Sequence, residues 1–124
     1  MDQSIGAIPD STLVAMKNHK DLGIHTELLG GGVMDLVRTG VINNTKKSVM
    51  PGKSSSDFDC CSWTNHSDII RANSKMTCIN SGIEIDITGQ VASDSIGSTF
   101  YSGFGGQTDF MGASSTSYDG MGKA

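Results

Sequence analysis

Cys78-Ile79-Asn80-Ser81-Gly82-Ile83-Glu84-Ile85-Asp86-Ile87-Thr88-Gly89-Gln90-Val91 is the stretch from which the fold is read. Three isoleucines alternate with Glu84, Asp86 and Thr88, the period-2 pattern of a half-buried strand with the isoleucines facing a core. Gly82 and Gly89 bracket the run, so turns are expected at both ends. On this pattern alone, the acidic residues form the wet face of an amphipathic strand. A second possibility is that Glu84 projects into a cleft lined by glycine loops. There a positioned, partly desolvated carboxylate could attack an acyl thioester.

Upstream, Ile5-Gly6-Ala7-Ile8-Pro9-Asp10 reads as a turn leading into a helix that carries Leu13, Val14 and Met16, with Asp10 or Ser11 as N-cap. His19 and Lys20 suit its C-terminus. Leu22 to Leu29 reads as a short buried strand and Val33 to Gly40 as a helix closed by glycine. Val41-Ile42 starts a further strand, so the order implies an α/β arrangement. Residues 54–67 show no period and are expected to be irregular. Ile69 to Asn73 reads as a helical connector and Thr99-Phe100-Tyr101 as a short extended piece. From Gly112 to Ala124 there is no apolar face, and this tail is expected to fray.

The 124 residues allow one domain at most. Apolar residues make up 36%, with one Trp, two Tyr and four Phe, so the core rests on Ile, Val, Leu and Met and is thin. That suggests part of something larger. A net charge of -4 argues against nucleic-acid binding, which calls for a basic patch. Cys60, Cys61 and Cys78 form neither a CxxC pair nor an even framework, which favours a reduced intracellular compartment. No signal peptide is legible at Met1 to Gly6 and no apolar run reaches the roughly 18 residues of a membrane span.

Motifs for other chemistries fail on spacing. Gly52-Lys53-Ser54 would need a glycine at position 47 to be a phosphate loop, and Lys47 stands there. Gly103-Phe104-Gly105-Gly106 is not a dinucleotide fingerprint, although such a loop lets backbone approach a bulky ligand. His25 reads as a hydrogen-bonded core residue. No histidine pair has metal-ligand spacing, so no metal site is expected.

Several segments occur together in one order: Gln3 to Pro9, Gly23 to Glu27, Pro51-Gly52-Lys53, Ile79 to Asp86, Thr88 to Val91 and Tyr101 to Phe110. This sequence resembles the acetyl-CoA hydrolase/transferase family, which includes 4-hydroxybutyrate and acetate CoA-transferases. The resemblance implies an open α/β CoA-transferase-type fold in truncated form, residues 1–124 being a piece from the start of the family's C-terminal half. It places the catalytic glutamate at Glu84, and the CoA- and acyl-lining glycine loops at Gly6-Ala7 and at Gly103, Gly105 and Gly106. It also implies CoA as cosubstrate with no permanently bound cofactor, and an acyl-CoA and a small carboxylate as partners. Neither nucleic acid nor membrane is implied as a partner. The full-length protein would be homo-oligomeric and mitochondrial or cytoplasmic. With the family's N-terminal half and a later oxyanion-hole glycine outside residues 1–124, the chain by itself is expected to be inactive.

Overall fold

The computed structural model describes residues 1–3, 7–53, 59–103 and 105–124. Helix α1 (Ala7–Ala15) runs into a 3-10 turn (Met16–Asn18), and α2 (Gly31–Arg38) packs against it. The start at Ala7 lies ahead of the N-cap expected at Asp10 or Ser11. Pro9 is tolerated there because first-turn N–H groups lack intrahelical partners anyway. A Cβ on Gly32 would lie 2.9 Å from Leu13 Cδ1, so this glycine sets how closely the two helices approach. At the other end of α2, Gly40 takes φ +76°, the left-handed stop read from the sequence.

The expected strand at Leu22 to Leu29 shrinks to one parallel bridge between Leu22 and Ile42. The segment stays extended because a side chain replaces the missing ladder. Buried Asn44 accepts from Ile24 N through Oδ1 at 2.8 Å and donates through Nδ2 to the Lys53 carbonyl at 2.8 Å. Leu13, Ile24, Val33, Leu36, Val41 and Ile42 form the first core.

Short helices α3 (Cys61–Thr64) and α4 (Ser67–Arg71) occupy part of the stretch expected to be irregular, while residues 54–58 lie outside the described residues. Strand β1 (Asp2–Gln3) pairs in parallel with β2 (Cys78–Ile79). Helix α5 (Gln107–Ser115) packs on α4 and β2, and Ile70, Met76, Cys78, Phe110 and Ala113 make the second core.

Two antiparallel hairpins, β3 (Glu84–Ile85) with β4 (Val91–Ala92) and β5 (Ser95–Ile96) with β6 (Thr99–Phe100), lie between β2 and α5. The long amphipathic strand is therefore not formed. Its isoleucines are not core: Ile83 and Ile85 are exposed and Ile87 is fully so. The break comes from Asp86. Its Oδ1 accepts from Thr88 N at 2.8 Å, Thr88 Oγ1 at 2.7 Å and Gln90 N at 3.0 Å, which reverses the chain with Gly89 at φ +87°. The Thr88 hydroxyl first, and then the backbone N–H groups of the turn, hold the Asp86 carboxyl below its usual range.

The tail expected to fray is ordered instead. Ala113 and Ser114 are buried in α5, and Lys123 exchanges backbone bonds with the start of β2: Cys78 N donates to Lys123 O and Lys123 N to Met76 O, both at 2.8 Å. Asp119 gathers Lys75 N at 2.7 Å, Ser74 Oγ at 2.8 Å and Met121 N at 3.0 Å. Polar side chains pin this segment, which hydrophobic periodicity cannot register.

Candidate functional site

Gly103, Gly105 and Gly106 line a cavity of about 540 Å³ together with Glu27, Val91 and the first residues of α5. Gly106 is buried at the N-terminus of α5, so the cavity opens onto that helix end. The glycine loop expected at a ligand thus borders a real concavity. Phe104 and Gly6 lie outside the described residues. Ala7 is the first residue of α1 and does not line this cavity.

Glu84 stands apart from that cavity. It pairs across the hairpin with Ala92, whereas the cavity-lining Val91 pairs with Ile85. Side chains alternate along a strand, so Glu84 lies on the face of the ribbon opposite to Val91. Its carboxylate is exposed and is held by one backbone donor, Gly97 N, at 3.1 Å from Oε1 and 3.0 Å from Oε2. Gly97 takes φ +54° at the tip of the second hairpin, a conformation suited to glycine. No Lys or Arg forms an ion pair with Glu84 among the described residues.

A second cavity of about 390 Å³ is walled by His25, Glu27, Lys47, Lys53, Asp59 and Trp63. Lys53 is paired with Asp59 at 2.7 Å, and burial lowers the pKa of Lys47. His25 is the buried residue the sequence suggested. Its Nε2–H donates to the Thr64 carbonyl at 2.8 Å, and its ring lies 5.8 Å from Trp63 and 6.0 Å from Phe110. The imidazole thereby joins the first core, through its neighbour Ile24, to Phe110 of the second. Among the described residues, no group of three or more His, Cys, Asp or Glu could hold a metal ion, and no helix is long and apolar enough to cross a membrane.

Burial pushes His25 from 6.5 down to about 4, against the opposing pull of the Thr64 carbonyl. Between those values the unfolded chain binds a proton that the folded chain refuses, so stability is complete above pH 6.5 and falls as pH drops towards 4. The loss expected is about 3 kcal/mol. Urea midpoints measured from pH 7.5 to 4.5 should show it, and His25→Gln, which keeps a donor for Thr64 without titrating there, should flatten the slope.

Neither Glu27 nor Gly97 carries a local sequence signal that marks it as a site residue. Glu27 was visible within Gly23 to Glu27, but nothing local marks a carboxylate whose partners, Asn65 and Gly106, are 38 and 79 residues away.

Solved structures with this architecture define the class. RipA from Yersinia pestis superposes with a TM-score of 0.77 at 30% identity, over 94% of this chain and 29% of its own. The 4-hydroxybutyrate CoA-transferase from Porphyromonas gingivalis does so at 0.74 and 34% identity, over 94% and 31%. The fold is α/β and of the CoA-transferase type. Residues 53–123 match the acetyl-CoA hydrolase/transferase C-terminal domain, and the chain belongs to that family. The succinyl-CoA:acetate/propanoyl-CoA:succinate CoA transferase of Fasciola hepatica is 47% identical over 99% of this chain and 30% of its own length. The 4-hydroxybutyrate coenzyme A transferase of Clostridium kluyveri is 41% identical over 94% of this chain and 32% of its own. The chain thus spans under a third of the length of these relatives.

Proposed function

We propose that this chain carries the nucleophile-bearing part of a CoA-transferase that moves CoA between an acyl-CoA and a small carboxylate such as acetate, with Glu84 as nucleophile. A Glu84 oxygen attacks the thioester carbonyl, the C–S bond breaks, and a mixed anhydride and CoA thiolate result. The thiolate then attacks the Glu84 acyl carbon, releasing the first carboxylate and leaving a glutamyl-CoA thioester. An acceptor carboxylate attacks that thioester and expels the thiolate, which in turn attacks the acceptor's acyl carbon in the new anhydride. The new acyl-CoA leaves and Glu84 is regenerated. With water as acceptor the same site is an acetyl-CoA hydrolase.

The observation that carries this reading is the Glu84 carboxylate, held by Gly97 N–H and, among the described residues, without an ion-pair partner that would quench it. Gly103, Gly105 and Gly106 would take the acyl or CoA chain, with Gly6 and Ala7 as further CoA contacts. Because Glu84 is exposed, water weakens it as a nucleophile, and the isolated chain is expected to turn over negligibly.

The second reading is a non-catalytic α/β remnant with weak CoA binding. It is favoured by the position of Glu84 on the ribbon face opposite the cavity-lining Val91. The test is to replace the matching segment of the Fasciola hepatica enzyme with this chain and follow labelled acetate into acetyl-CoA. The substitution should retain exchange and yield a borohydride-trapped mass change at Glu84. A folded hybrid that binds CoA by calorimetry but gives no adduct overturns the first reading in favour of the second.

A further inference from the structure

We propose that the two hairpins form an arm that the remainder of a CoA-transferase subunit encloses, in a pocket apolar at its centre and rimmed by Lys and Arg. Among the described residues, half of the exposed large apolar side chains fall within residues 83–101. On the first hairpin Ile83, Ile85 and Val91 share one face, because Ile85 pairs with Val91 and side chains alternate along each strand. Ile87 stands fully exposed in the turn that joins β3 to β4. On the second hairpin Phe100 lies across from Ser95 on one face, whereas Ile96 and Tyr101 take the other. Phe100 is 84% exposed, and Ile96 and Tyr101 are exposed as well.

Exposed apolar side chains in this number mark an interaction surface. Because they stand on both faces of the second hairpin, a flat partner would leave one face wet, and only an enclosing one covers them. The hairpins also need support on structural grounds. Each strand is two residues long, and a lone two-stranded hairpin is marginal in water.

Charge decides between the possible occupants. From residue 76 to 122 the sequence carries Glu84, Asp86, Asp94, Asp109 and Asp119 and no Lys, Arg or His. Asp86 and Asp94 flank the apolar residues of the hairpins, and neither forms an ion pair among the described residues. A second copy would set these carboxylates against their own kind, which opposes association, whereas Lys and Arg at the rim of a pocket would meet them. More than two thirds of the length of the Fasciola hepatica and Clostridium kluyveri relatives lies outside the part this chain matches, and that remainder is the occupant assigned here. Family membership, and no step of the Glu84 chemistry, underlies this assignment, so either can fail alone.

Hydrogen exchange on the free chain and on the Fasciola hepatica hybrid tests this. Amides of residues 83–101 should exchange at least about 100-fold more slowly in the hybrid. Phe100→Ser should leave the urea midpoint of the free chain unchanged, because the ring stands in water there, yet should speed hairpin exchange in the hybrid at least about tenfold. A carbodiimide should couple Asp86 or Asp94 of the hybrid to a lysine outside residues 1–124. Hairpins that exchange equally fast in both proteins overturn the proposal, as do protected hairpins that Phe100→Ser does not loosen or whose carboxylates couple to no such lysine. A free chain that dimerises in the ultracentrifuge, and becomes monomeric with Phe100→Ser, assigns the surface to a second copy and also overturns it. Should the hybrid not fold, the free chain still decides. A synthetic peptide of alternating Leu and Ser with lysines at both ends must bind it at least about tenfold more tightly than the same peptide with glutamates, with the difference shrinking at high salt, or the proposal fails. Loss of the Glu84 adduct with the hairpins still protected would sink the catalytic reading alone.

Discussion

Replacing Glu84 with alanine in the hybrid enzyme is expected to lower CoA transfer by at least about 1000-fold, more than about 4 kcal/mol in the barrier, and to abolish the trapped adduct. The argument rests on what a carboxylate supplies here. A nucleophile that forms two successive covalent intermediates cannot be replaced by solvent without losing the path itself. Glu84→Gln should fall as far, since an amide keeps the shape and the approach to Gly97 N but is not a nucleophile. Glu84→Asp separates chemistry from placement. It keeps the carboxylate but draws it back by one methylene, and a misplacement of about 1 Å costs about 100-fold. An aspartate variant that forms adduct slowly, beside alanine and glutamine variants that form none, is the pattern expected. Full exchange in the alanine variant would remove Glu84 from the mechanism.

The second large effect is structural. Phe110→Ala should destabilise the chain by about 3–5 kcal/mol, a large share of the roughly 5–15 kcal/mol that holds a small domain. Phe110 is 1% exposed and, among the described residues, is the only aromatic one in the second core, where Ile70, Met76, Cys78 and Ala113 surround it. Its ring also meets His25 and lines the larger cavity, so its removal loosens the tie between the cores and the wall of the site together. Phe110→Leu, which retains most of the volume, should cost much less. Urea unfolding of both variants checks this: the midpoint should fall steeply for alanine, with the slope unchanged if only the native state is affected.

These two residues were legible in the sequence to different degrees. Helix α2, closed by Gly40, and α4 were visible because their signals are local: period, cap and stop lie within a few residues. Family membership was also legible, because several ordered motifs each carry part of it. The long strand at Ile83 to Ile87 was not, and the reason is instructive. Alternation describes a strand only while the chain stays extended, and the Asp86 side chain folds it back after Ile85. The order of the tail is not legible because Asp119, Ser117 and Lys123 hold it through hydrogen bonds to Lys75, Gly122, Met76 and Cys78, and three of those partners are more than forty residues away. Glu27 was hidden for the same reason. What the sequence does not display is a polar bond closed across the fold.

The pairing at β2 bears on how the chain acquires its shape during synthesis. Asp2 and Gln3 lie beside Cys78 and Ile79, and Thr77 also bridges to Lys123, so residues more than 100 positions apart meet on one short segment. Closing loops of this length costs entropy before any contact returns it. The bridge from Thr77 to Lys123 cannot form until residue 123 has left the ribosome, whereas Leu13, Val33 and Leu36 can cluster much earlier. On a nascent chain the first core, which ends at Ile42, can therefore gather before Phe110 emerges to join Ile70 and Met76 in the second.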